Sequence, residues 1–276
     1  MPCIYPLSPT HSILPRLNTL TLLIFTLHGP SSNWATRAAL AASLTRTAVI
    51  ALQAFALLAI ARHPGSIPAK DLDIFAAWEV LGASACALPL LLGWAPVLRG
   101  SRARPLVRVW GLLILAGACC AYAAQEWRVE DRAGERCADA RLGMKGNHGA
   151  VAAEIRPSRP RLVHAFDIAA LVMAAFGAWA CVRPRVETAV GSEEAEVGMR
   201  MRVLRGLERA AVVVSVVVFW GFVGVHERWL EGLPEEVSRG SFDQWGPWAA
   251  TGVVLLATLV DYCLMVGKEK EVEEIV

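Results

Sequence analysis

The chain has 276 residues, of which 55% are hydrophobic and 19% charged, with a formal net charge of +2. Soluble domains hold about 45–50% apolar and about 25% charged residues, so an excess of this size excludes disorder, collagen and a simple globular core. Near-neutral charge with no clustered basic surface argues against a nucleic-acid partner. Seven cysteines are present, but Cys86, Cys119, Cys120, Cys181 and Cys263 sit in apolar stretches, so neither a disulfide framework nor a CxxC metal pair is visible. The composition fits an all-α, multi-pass transmembrane helical bundle.

In chain order, residues 1–43 read as an N-terminal arm. Its apolar run Leu17–Leu27 is 11 residues long, too short to span, because a span takes about 20. The run fits an interfacial helix or unprocessed arm. It also fits an organelle-targeting segment, since no acid precedes Asp71, or the core of a cleaved signal. Residues 44–267 read as the membrane bundle, with about six spans near 44–61, 74–98, 109–125, 162–182, 210–226 and 244–267. The first is the weakest, with 15 uncharged residues between Arg46 and Arg62. Residues 268–276 form a charged tail.

The loop Arg99–Arg108 carries Arg99, Arg102, Arg104 and Arg108 without an acid, the clearest inside signal in the chain. It sets 62–73, 126–161 and 227–243 outside and both termini inside. Trp78, Trp127, Trp229, Trp245 and Trp248 then fall near outer ends, and Trp94, Trp110 and Trp179 near inner ones, as interfacial belts require. Ala170, Ala174 and Ala178 form a ridge of small residues for close helix packing. The loop Arg183–Arg209, with the acidic run Glu193-Glu194-Ala195-Glu196 followed by Arg200, Arg202, Arg205 and Arg209, reads as a solvated helix leading into the fifth span.

No nucleotide, zinc-protease or serine-hydrolase motif occurs, and no cofactor or metal site is implied. Three acids enter the spans: Glu79, Asp167 and Asp261. An ionisable group at membrane depth costs at least about 2.5–3.5 kcal/mol near the centre, which marks it as a functional candidate. All three lie nearer an interface than the midplane. Glu79 and Asp167 share a depth, His164 lies one turn before Asp167, and His226 ends the fifth span on the same side. Glu79, His164, Asp167 and His226 are therefore expected to converge near the outer face, where a proton relay or a divalent-metal site would use them.

Ala77-Trp78-Glu79 early in a span, with Asp261 in the last span, resembles the small integral-membrane terpene cyclases of fungi. The likeness implies a compact helical bundle in which a Glu and an Asp act as the acids that start cyclisation. Phe75-Ala76-Ala77 stands where that family usually has an Asn before the Trp-Glu pair. Glu79 and Asp261 also fall toward opposite faces here.

Three functional classes stand open. The first is a non-catalytic membrane component, favoured by the lack of chemical motifs. The second is a small transporter or proton-coupled carrier using Glu79, Asp167 and Asp261, and the third an intramembrane enzyme of the cyclase type. The partners expected are the lipid bilayer and either a second copy or another membrane protein. The location expected is the plasma membrane or an endomembrane, with the mitochondrial inner membrane as the alternative.

Overall fold

The computed structural model describes residues 3–8, 11–28, 34–61, 69–93, 95, 98, 103–125, 151–152, 161–182, 194–231, 248–249, 251–253, 256 and 259–260. The order is β1 (Cys3–Tyr5), α1 (Ile13–His28), α2 (Trp34–Ala61), β2 (Ala69–Asp71), α3 (Asp73–Gly93), α4 (Arg104–Gln125), β3 (Val151–Ala152), α5 (Arg161–Val182) and α6 (Glu194–Leu230). Five helices are long and apolar enough to cross a membrane, and α1 is a shorter apolar helix. The chain is thus a helical membrane bundle of about six spans, as its composition predicts. Of the expected last span, the described residues are helical; Asp261 and the tail 268–276 lie outside the described residues.

Three findings depart from the sequence reading. First, a small sheet accompanies the helices of the all-α bundle. Of order β2-β1-β3, it pairs Ile4 with Lys70 in parallel and with Val151 in antiparallel. Strands of two or three residues are too short for an alternating pattern to reveal. Second, that sheet puts the start of the chain at the same end as 69–71, not at the opposite end as the inside assignment of both termini requires. The physical reason is α1. Its 16 residues run about 24 Å at helical rise, and they carry the chain past α2 and α3, with which α1 packs. Third, α2 begins at Trp34, ahead of the expected start of the first span; the helix expected ahead of the fifth span is continuous with it, over the 37 residues of Glu194–Leu230.

The bundle is built around α3. Every residue from Asp73 to Leu92 is buried, and α1, α2, α4, α5 and α6 all pack against it. A helix apolar all round belongs at such a centre. Its start is fixed by Asp71, whose Oδ1 accepts from the Asp73 amide at 3.0 Å, an N-cap geometry. Its end is tied to α4 by Arg104 Nη2, which donates to the Leu92 carbonyl at 2.9 Å.

The outer helices show the polarity a bilayer demands. On α6, Val213, Val214, Val216, Val217 and Trp220 are exposed while Ser215, Phe219, Phe222 and His226 are buried. The buried set follows the 3.6-residue period. On α2, Val49 and Leu52 face out while Ser43 and Thr47 face in. The inner polar groups bond locally or across helices: Thr47 Oγ1 donates to the Ser43 carbonyl at 2.7 Å, and Trp110 Nε1 donates to Thr47 Oγ1 at 3.0 Å. Trp110 is therefore buried between α2 and α4, not part of an interfacial belt. Trp179, 46% exposed, does face outward.

Small residues set the closest approaches. A Cβ on Gly117 of α4 would stand 2.6 Å from Ala51 Cβ and 2.9 Å from Ala51 Cα. Ala170 and Ala174 of the expected ridge are buried, and Gly177 lies against Leu88. A Gly117→Val variant meets backbone that cannot yield locally. It is expected to lose about 1–3 kcal/mol of stability, read as a lower thermal midpoint in detergent. Gly224→Ala, with nothing within 4 Å of the new methyl, is expected to leave the midpoint unchanged.

Candidate functional site

A group of charged residues, Arg16, Glu79, Asp167 and Glu227, gathers at the end where α1, α3 and α5 begin and α6 finishes. Two sequence-adjacent pairs organise them: Trp78-Glu79 on α3 and His226-Glu227 on α6. Neighbours on a helix point about 100° apart, so each pair sends one side chain toward α5 and the other toward α1.

On the α5 side the centre is Asp167, fully buried. Trp78 Nε1 donates to its Oδ1 at 2.6 Å, and His226 Nε2 lies 2.9 Å from the same oxygen. His226 Nδ1 is 2.8 Å from the Phe222 carbonyl. A carbonyl only accepts, so Nδ1 carries a hydrogen; the tautomer follows from this network. The His226–Asp167 contact then holds one proton, on the imidazole facing a carboxylate or on the carboxyl facing a neutral ring. Rings enclose the pair: Phe222 stacks on His226 at 4.0 Å, and Trp78 meets Tyr122 at 5.2 Å and Phe222 at 5.8 Å. On the outer side, His164 Nδ1 stands 4.0 Å from Asp167 Oδ2, with its side chain 53% exposed.

On the α1 side the centre is Arg16, also fully buried. Its guanidinium donates from Nε and Nη2 to the two Glu227 oxygens at 3.3 and 2.8 Å, and from Nη1 to the His11 carbonyl at 2.7 Å. Glu79 Oε2 lies 3.0 Å from the same Nε. The Nε hydrogen is aimed at Glu227, so this contact pairs charges without an aligned hydrogen bond, and no donor in the described structure points at either Glu79 oxygen. Glu79 and Glu227 thus both contact the one guanidinium of Arg16.

The sequence-derived residues are thus placed as follows. His164, Asp167 and His226 come together, while Glu79 occupies the same end but turns to Arg16 and Glu227. Asp261 lies outside the described residues. Among the described residues, no three His, Cys, Asp or Glu side chains are grouped to hold a metal ion.

Arg16, Trp78 and Glu227 were not expected in the site. Arg16 precedes a run too short to span, Trp78 reads as an interfacial residue, and Glu227 stands just past the fifth apolar window. No periodic signal finds the last: Ser215, Phe219, Phe222 and His226 share the inward face, and Glu227 stands about 100° from it.

The chain matches no family model, and comparison with curated proteins and with solved structures finds no similar one.

Removing one member of a buried ionic set costs about 3–5 kcal/mol, because its partners are left uncompensated. Arg16→Met is therefore expected to destabilise the bundle by roughly that amount. Adding Glu79→Gln to Arg16→Met removes one stranded carboxylate and is expected to regain part of the loss. Thermal midpoints of the two variants in the same detergent check this coupling.

Proposed function

We propose that this integral membrane protein is a small proton-coupled carrier, with the buried cluster at the head of α3 as its proton site. One observation carries the reading: acids and bases stand here in arrangements that need a proton to be complete. Glu79 and Glu227 share a single guanidinium, one positive charge for two carboxyls, and Asp167 with His226 holds one proton between two heavy atoms 2.9 Å apart. A group held at membrane depth only for packing would be cheaper as an apolar residue of similar volume. Proton relays in membrane proteins are built from such Asp, Glu and His chains. The cargo is a species whose passage changes the charge or geometry of this cluster.

Proton binding is measurable without knowing the cargo. Protein reconstituted on a solid-supported membrane is expected to give a transient capacitive current on a pH step. Glu79→Gln and Asp167→Asn are each expected to reduce it. A wild-type current equal to that of empty lipid would overturn the proposal and leave the non-catalytic membrane component standing.

The ring of Trp78, Tyr122 and Phe222 beside these acids favours a second reading, the intramembrane cyclase. Aromatic faces stabilise cations, and a carboxylic acid among them would protonate an alkene or epoxide. Membranes containing the protein would then convert an isoprenoid epoxide to a cyclic product, and Asp167→Asn would abolish that conversion. An unchanged product pattern sinks it.

A further inference from the structure

The two oxygens of Asp167 have different surroundings. Oδ1 faces inward and serves both Trp78 and His226. Oδ2 faces His164, at 4.0 Å. Trp78, Phe222 and His226 are each no more than 2% exposed and Asp167 is sealed, whereas His164 is 53% exposed. His164 also lies one turn inside Arg161, the charged residue that heads α5, and so at the level where the membrane meets water.

We propose that His164 is the port through which protons reach and leave the Asp167–His226 pair. This deepens the proton-site reading and rests on it. Imidazole suits the task because it carries two nitrogens, one able to accept a proton while the other gives one up. Nε2 takes a proton from water or buffer, and the Nδ1 proton passes to Asp167 Oδ2. A small side-chain rotation or one bridging water closes the 4.0 Å gap. The imidazole ends neutral in its other tautomer, and the Asp167–His226 pair ends with one more proton and one more positive charge. The reverse steps release it. The charged groups around the pair are Glu79 from α3, Glu227 from α6, Arg16 from α1 and Arg161 from α5. They set the field, and His164 joins half-exposure to closeness to Oδ2.

The test uses full-length protein in detergent, with protons released by a flash from a caged acid. Protonation of Asp167 is followed at the carboxyl stretching band, identified as the band missing in Asp167→Asn. His164→Ala and His164→Gln are expected to reach the same end point as the wild type but about tenfold or more slowly. Added imidazole is expected to restore the rate in His164→Ala. An unchanged rate overturns the port, as does a slow rate that imidazole leaves untouched, which would mark His164 as merely structural. A wild type without any Asp167-dependent band overturns the proton-site reading itself, so the two failures are distinguishable.

Discussion

The structure depends on how a helix with no exposed face disposes of its polar side chains. From Asp73 to Leu92 α3 touches only protein, so Trp78 and Glu79 cannot reach water or the headgroup region by extending outward. Each must find a partner on a neighbouring helix. The turn of about 100° between consecutive residues sends them to different neighbours, Trp78 to Asp167 of α5 and Glu79 to Arg16 of α1. His226-Glu227 on antiparallel α6 mirrors the arrangement and closes both groups. Two adjacent pairs thereby fix how three further helices stand around the centre. This explains why α1, too short by length to count as a span, belongs to the bundle: without it the guanidinium that balances two carboxylates is missing.

The spans were legible because hydrocarbon thickness imposes a length that a simple apolar window detects. The shared depth of Glu79 and Asp167 was legible for the same reason: helices that alternate in direction put early residues of one beside early residues of the next but one. What the window could not show was rotation about the helix axis. Trp78 near the end of an apolar run fits an interfacial belt as well as it fits a buried donor, and only a partner such as Asp167 decides between them. Arg16 failed for a related reason. A base beside a short apolar run ordinarily snorkels to water, and its burial here is dictated by Glu79 and Glu227, which lie far away in sequence.

The inverted polarity of the outer helices follows from the same physics. Lipid exerts no hydrophobic drive between helices, so association rests on close packing and interhelical hydrogen bonds. Gly117 against Ala51 and Gly177 against Leu88 supply the first. Trp110 on Thr47 and Asn18 on Thr251, at 2.9 Å, supply the second. The valines of α6 that look like a core in the sequence face outward, and the single serine among them, Ser215, faces in.

The ionic groups are also continuous with the cap of the bundle. The Ser8 amide donates to Asp73 Oδ1 at 2.7 Å, and the His11 carbonyl accepts from Arg16. Leu7, Leu72, Phe75, Ala76 and Leu230 pack together over this end. The segment that joins β1 to α1 therefore satisfies the guanidinium, anchors the start of α3 and carries Leu7 into the apolar seal. A buried ion cluster near a membrane surface needs such a lid, because its electrostatic strength depends on keeping water out. The small sheet pairs the backbone of Cys3–Tyr5, just ahead of this segment, with that of Ala69–Asp71, just ahead of α3.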